Sequence, residues 1–271
     1  MNTNQGSNNY MNQLEAFIFD VDGTLADTER DGHLVAFNMA FAEAGLDWHW
    51  SVELYGKLLA VTGGKERIRY YLKDFYPHER GEAFSQPASE HESFDEFVAA
   101  LHAAKTRFYT QLMADGAVPL RPGVTRLIQE ARDVGLRLAI ATTTTPANVT
   151  ALLTHTLGAD SIDWFEVIAA GDIVPAKKPA ADIYVYALEK MNLKPEQCLA
   201  FEDSHNGLLS SHGADLKTVI TVNDYTLDHD FSGAALVLSD FGEPDKAMSV
   251  LAGSCDESWF SLASARKLHQ S

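Results

Sequence analysis

Two carboxylates separated by one residue close a short apolar run, Phe17-Ile18-Phe19-Asp20-Val21-Asp22-Gly23-Thr24. Residues two apart lie on the same side of an extended chain. One such acid can therefore attack an electrophile while the other moves protons. Three more segments carry groups of matching use: the run Thr142-Thr143-Thr144-Thr145, the pair Lys177-Lys178, and the pair Glu202-Asp203. Hard oxygen ligands clustered without His or Cys suit Mg2+. A divalent cation and a lysine neutralise a phosphoryl group, and hydroxyls with the N–H groups of a helix start take its oxygens. The chemistry these residues fit together is phosphoryl transfer.

The elements that must position them alternate in type. Ala16–Val21 reads as a buried strand ending in the turn signal Asp-Gly-Thr. From Pro122 onward the spacing predicts helix over 124–134, strand 137–141, helix 147–157, strand 165–169, helix 182–191, strand 198–201, helix 207–212 and strand 218–222, with 235–238 as one more. Strands alternating with helices imply right-handed βαβ units, hence a Rossmann-like parallel sheet with helices on both faces. Ligands of such sheets bind beyond the carboxyl ends of the strands, which is where all four segments fall. Between about Gly32 and Leu112 the pattern is helical only, over 34–44, 52–59, 67–76 and 94–113, with a polar loop at 81–93. The expected division is an α/β core of 1–31 and 113–271 with an inserted all-helical domain of 32–112. The tail after Asp245 is expected to be helical.

Composition narrows the function classes. The chain has 271 residues and a formal net charge of -17, which argues against nucleic acid, since that needs clustered Lys and Arg. No apolar run is long enough to span a membrane. Two cysteines, Cys198 and Cys255, allow neither a disulfide framework nor a zinc spacing. The polar first thirteen residues lack an apolar h-region and Arg, unlike a secretory or transit signal. The expectation is a cytoplasmic monomer, or a protein of the plastid stroma if a transit peptide has been removed.

The ordered set Asp20-Val21-Asp22-Gly23-Thr24, Thr142, Lys178-Pro179 and Glu202-Asp203 resembles the four motifs of the haloacid dehalogenase superfamily over nearly the whole chain. The resemblance implies that Asp20 is the nucleophile, Asp22 the general acid/base, and Mg2+ the cofactor. The cation would be held by the Asp20 side chain, the Asp22 carbonyl and Asp203, with Glu202 beside them. Thr142 and Lys178 would hold the transferred phosphoryl group, with Thr143 adjacent. The helical insertion is similar to the cap of the β-phosphoglucomutase branch. Ala26-Asp27-Thr28-Glu29, Leu46-Asp47-Trp48, Val61 through Ile68 and Asp182-Ile183-Tyr184 are similar to CbbY-type proteins, phosphatases of the Rubisco inhibitor xylulose-1,5-bisphosphate. The resemblance makes Asp27, Thr62, Gly63, Gly64, Lys65 and Arg67 candidates for substrate contact. Glycines let a backbone approach a phosphate closely, and Lys65 adds charge at a helix start. The expected partner is a small phosphorylated sugar.

Each assignment has a plainer counterpart. Asp20 and Asp22 can cap a turn, the threonines can cap the next helix, Glu202 can cap a helix, and Lys65 can be a solvated side chain. His33, His155, His205 and His212 lack ligand spacing and read as surface or packing residues; Trp48 and Trp50 read as core of the helical domain. Two other functions compete. In mutases of this branch a histidine twelve residues after the nucleophile restrains hydrolysis, and here that position is Gly32 with His33 next to it. A non-catalytic metabolite-binding protein on the same fold is the other alternative, although no nucleophile or metal ligand is missing.

Overall fold

The computed structural model of the protein describes residues 13–61, 63–76 and 93–271. The chain divides into two compact units, Met1–Asp27 with Val118–Ser271, and Thr28–Ala117. Each edge of the second unit falls a few residues outside the expected 32–112.

The first unit is built on one sheet of seven strands in the order β3-β2-β1-β4-β5-β6-β7. These are β1 (Ala16–Phe19), β2 (Arg137–Thr142), β3 (Val167–Ala170), β4 (Cys198–Glu202), β5 (Lys217–Thr221), β6 (Leu236–Leu238) and β7 (Val250–Ala252). All neighbours pair in parallel except β6 and β7, which are antiparallel. β1 and β4 are buried at every residue, so both read as apolar runs, as strands covered on both faces must, broken only by Glu202 at the end of β4. The tail departs from expectation. It contributes β7 to the sheet edge, and helix is confined to its last turns, Leu262–Gln270.

Four helices in this unit flank the sheet: Val124–Asp133, Pro146–Leu157, Asp182–Met191 and His205–Gly213. The Asp182–Met191 helix buries Ile183, Tyr184, Ala187, Leu188 and Met191, an apolar stripe at helical spacing. That stripe packs on Ala16, Ile18, Ala139 and Ala200 of the sheet. Small residues in the strands let the helix approach, and the tyrosine fills the space left. An isolated antiparallel β-bridge joins Ala26 to Leu120. The points where the chain leaves and re-enters this unit therefore lie side by side.

The helical unit contains a π-helical turn, Thr28–Leu34, which runs into α1 (Val35–Glu43). After it come α2 (Val52–Leu58), α3 (Gly64–Asp74) and α4 (Phe94–Ala114). Its core is aromatic. Trp50 and Tyr55 are fully buried and Trp48 nearly so; Trp50 lies 4.7 Å from Phe37 and 4.8 Å from Phe41 between ring centroids. Such pairs add roughly 0.5–1.5 kcal/mol each beyond burial. Both tryptophans are thus packing residues, as expected. In chain order these helices α1–α4 are followed by α5 (Val124–Asp133), α6 (Pro146–Leu157), α7 (Asp182–Met191), α8 (His205–Gly213) and α9 (Leu262–Gln270). The loop expected at 81–93 lies, except for Ser93, outside the described residues, and Ser93 caps α4 by accepting from the Glu96 N–H at 3.2 Å.

Candidate active site

Register brings the acids together. Phe19 pairs with Phe201 of β4 and with Ile140 of β2, so Asp20 and Glu202 stand level one residue further on. The Asp20 N–H donates to the Phe201 carbonyl at 2.9 Å, which pins the backbone of the first acid to the strand that delivers the others. Asp20, Glu202 and Asp203 are all buried, and one carboxylate oxygen from each lies within 4.8 Å of the other two.

A single ammonium stands among them. Lys178 Nζ donates to Asp20 Oδ1 at 2.6 Å and to Glu202 Oε1 at 2.5 Å, with its side chain 8% exposed. Burial works against the ammonium, but the two carboxylates override it and raise the lysine above its ordinary range. The acids are not fully compensated. Burial raises Glu202 to about 7, with Lys178 opposing and Asp20 adding to the rise. Burial, then Asp20 and Glu202, push Asp203 well above the usual carboxylate range. Three acids facing one lysine form a site short of positive charge. Their donor set is all hard oxygen, so Asp20, Asp203 and Glu202 fit a hexacoordinate divalent cation such as Mg2+.

Around this cluster the other expected residues are distributed unevenly. Thr142 ends β2, is fully buried, and its Oγ1 accepts from the Thr144 N–H at 3.3 Å. Thr143 is exposed. Thr145 is the helix cap foreseen as the plainer reading, accepting from the Asn148 N–H ahead of Pro146. Asp22 is half-buried in the turn after β1, bridged to Ala26. Lys177 is exposed and pairs with Asp172 at 2.9 Å. Asp27 is turned to Arg121, 3.3 Å from its Nε, rather than set out as a lone polar group.

Sequence reasoning missed two residues here. Asn223, at the carboxyl end of β5, donates from Nδ2 to Asp203 Oδ2 at 2.7 Å; applying the strand-end rule to this strand as well would have found it. Gly23 packs so closely on this pair that an added Cβ would overlap the Asp203 carboxylate and come 2.6 Å from the Asn223 amide nitrogen. Arg121 is buried, and its guanidinium donates to the carbonyls of Gly23, Thr221, Val222 and Ser239. It ties the turn after Asp22 to the segment that carries Asn223. No linear signal marked it, since all of these partners lie about a hundred residues away in the sequence.

In the helical unit, Gly63, Gly64 and Lys65 stand at the start of α3, where Gly63 takes a φ of 98° that favours glycine. Thr62 lies outside the described residues. Lys65 is exposed, whereas Arg67 is buried and donates to Tyr55 Oη at 2.6 Å. Tyr55 in turn donates to Glu29 Oε2 at 2.5 Å. His33 joins this polar group through Lys105, Nζ to Nδ1 at 2.8 Å, and stacks on Tyr109. It is a packing residue of a cation-rich interior rather than a surface one.

Comparison with known proteins agrees with this geometry. Residues 14–215 match the haloacid dehalogenase-like hydrolase family. The plasmid-encoded protein CbbY of Cupriavidus necator is 46% identical over 256 residues, 94% of this chain and 97% of that protein. Protein CbbY of Rhodobacter capsulatus is 51% identical over 222 residues, 82% of this chain and 91% of that one. A crystal structure of a CbbY variant from Rhodobacter sphaeroides in complex with xylulose-(1,5)bisphosphate superposes with a TM-score of 0.67 at 44% identity, covering 85% of this chain and 96% of that one. Among the described residues, no helix is long and apolar enough to cross a membrane. With its acids and buried threonine on adjacent strand ends and its lysine between two of the acids, the chain belongs to the haloacid dehalogenase-like hydrolases, in their CbbY-related branch, and is a phosphoric monoester hydrolase.

Proposed function

We propose that the protein is a Mg2+-dependent phosphatase that converts xylulose-1,5-bisphosphate to xylulose 5-phosphate through an aspartyl-phosphate intermediate. The observation that carries this reading is Asp20: a buried carboxylate beside Lys178 and within 4.8 Å of Glu202 and Asp203. An Asp20 oxygen attacks phosphorus and the ester P–O bond breaks. The Asp22 carboxyl gives its proton to the departing sugar oxygen. Asp22 then takes a proton from the water that attacks the same phosphorus, and the Asp20–phosphorus bond breaks to release inorganic phosphate. Lys178 and Thr142 hold the phosphoryl oxygens as charge builds on them. Asp20, Asp203, Glu202 and the Asp22 carbonyl would hold Mg2+, which supplies charge neutralisation at the phosphoryl group when bound.

The sugar and its second phosphate rest on the relatives and on the helical unit. A bisphosphorylated pentulose occupies the Rhodobacter sphaeroides CbbY variant. Here Gly63, Gly64 and Lys65 gather N–H groups and charge at one helix start, which suits a second phosphate; Thr62 and Asp27 are retained as candidates, and so is Arg67, although its guanidinium is turned to Tyr55. The decisive experiment measures phosphate release from xylulose-1,5-bisphosphate with Mg2+, against a panel of monophosphorylated hexoses. Equal or faster turnover of the hexoses would overturn the substrate assignment.

One observation favours the mutase reading. The segment Thr28–Leu34 is π-helical, and a π turn accommodates one extra residue. That residue offsets His33 by the single position that separates it from the mutase spacing. Product analysis decides between the two: free phosphate for a phosphatase, an isomerised sugar phosphate for a mutase.

A further inference from the structure

Tyr184 lies in the first turn of α7 and is fully buried, its ring among the alanines of β1, β2 and β4. Packing alone would be served by phenylalanine. The hydroxyl instead donates to Glu202 Oε1 at 2.6 Å. The same oxygen accepts from Lys178 at 2.5 Å, so it uses both lone pairs on donors. The Lys178 ammonium also lies 5.2 Å above the Tyr184 ring. On the other side of the carboxylate stands Gly207 of α8, where an added Cβ would overlap the Glu202 carboxylate. Ser204 holds that glycine in place, its Oγ accepting from the Gly207 N–H at 3.1 Å. The Glu202 carboxylate is therefore gripped between a hydroxyl on one helix and a bare Cα on the next.

We propose that Tyr184, with Gly207 opposite it, is a positioning residue that fixes the Glu202 carboxylate and thereby holds the Lys178 ammonium on the reacting phosphoryl group. The proposal rests on the phosphatase reading. It does not depend on which sugar is the substrate. Lys178 is a long, flexible side chain, and a lysine has no fork to orient it. Two fixed acceptors, Asp20 Oδ1 and Glu202 Oε1, define its position. Once Asp20 carries a phosphoryl group, its grip on the ammonium is weakened. Glu202 then becomes the anchor that keeps Lys178 in place, and its own orientation depends on Tyr184 and the space at Gly207.

Tyr184→Phe removes one oxygen and keeps the ring under the ammonium. With p-nitrophenyl phosphate as substrate, kcat is expected to fall about tenfold, the scale of one hydrogen bond to a charged group. The inhibition constant for inorganic phosphate rises by a similar factor, and KM changes less than kcat. Gly207→Ala, which pushes on the same carboxylate from the other side, moves both quantities in the same direction. A double-mutant cycle provides the readout that simple structural damage would not move. In a Lys178→Met background, Tyr184→Phe should leave the phosphate inhibition constant unchanged. Turnover and phosphate affinity of Tyr184→Phe within twofold of the parent overturn the proposal, and so do additive effects in the cycle. Absence of phosphate release by the parent from any phosphomonoester would instead overturn the phosphatase reading itself.

Discussion

His33 and Lys105 face each other inside the helical unit, Nδ1 to Nζ at 2.8 Å. An ammonium can only donate, so the imidazole accepts and is neutral. Burial first, then Lys105, Arg67 and His102, bring the His33 pKa down to about 4, with Glu29 pulling the other way. The unfolded chain keeps the ordinary value of about 6.5. Between those values the unfolded state binds more protons, so stability rises with pH and is complete above 6.5. It is lost as pH falls toward 4, by about 2 kcal/mol after allowing for partial exposure. Urea unfolding at pH 4.5, 5.5 and 7 measures this. His33→Gln should flatten the acid limb, and an unchanged limb in the variant would refute the assignment.

Asp20→Asn keeps the size and packing of the side chain while removing the nucleophile. Phosphate release should fall by at least about three orders of magnitude, with circular dichroism unchanged. Denaturing gels after incubation with labelled substrate should show no acid-stable label on the variant. Residual turnover near the parent level would sink the covalent mechanism.

Asp203 is crowded by Asp20 and Glu202, and this sets two opposite signs for Asp203→Asn. Without metal, the neutral side chain relieves repulsion, so the variant should melt no lower than the parent. With Mg2+, the parent gains stability by mass action, about 2.7 kcal/mol at a hundredfold excess over Kd, and the variant gains little. Thermal melts with and without millimolar Mg2+, after chelator treatment, test both. Equal Mg2+ shifts in the two proteins would exclude Asp203 as a ligand.

Lys65 is exposed at the start of α3, so its loss should not disturb the fold. Lys65→Ala is expected to raise KM for the bisphosphorylated pentulose about tenfold, the worth of one charge-assisted contact. Turnover of p-nitrophenyl phosphate, which has no second phosphate, should be unaffected. An unchanged KM for the bisphosphate removes Lys65 from the site.

Arg121 donates to four backbone carbonyls, three of them buried. Arg121→Met removes this donor from all four and takes the guanidinium away from Asp27. The expected loss is about 3–5 kcal/mol, or a fall in Tm of roughly 10 °C, with a broader defect than any substitution at the substrate end. A melting temperature within about 3 °C of the parent would show that the carbonyls are satisfied by other means.

The parts legible in the sequence were those with a local cause. β1, β2, β4 and β5 announced themselves as apolar runs, and Asp20, Thr142 and Asp203 fell at or just after strand ends, with Lys178 in the connection that follows β3, where the topology collects ligands. The parts not legible depend on pairings across long stretches of chain. Arg121 sits before Pro122-Gly123 and looks like loop punctuation until Thr221 and Ser239 close around it. His33 had no spacing to mark it, because its partner is 72 positions away. β7 was hidden for another reason: its three residues are all exposed, so no buried face imposed a pattern on them.

The bridge between Ala26 and Leu120 has a consequence for how such a chain can be edited. A segment whose two ends leave a scaffold side by side can be lengthened, exchanged or removed without restringing the scaffold, because closing the gap requires only a tight loop and little chain entropy. Joining Asp27 to Val118 through a few glycines and serines should therefore leave a domain that still folds. The helical unit is, in that sense, a detachable part of the chain, and selection could lengthen or exchange it while the sheet and its strand-end acids stayed as they are.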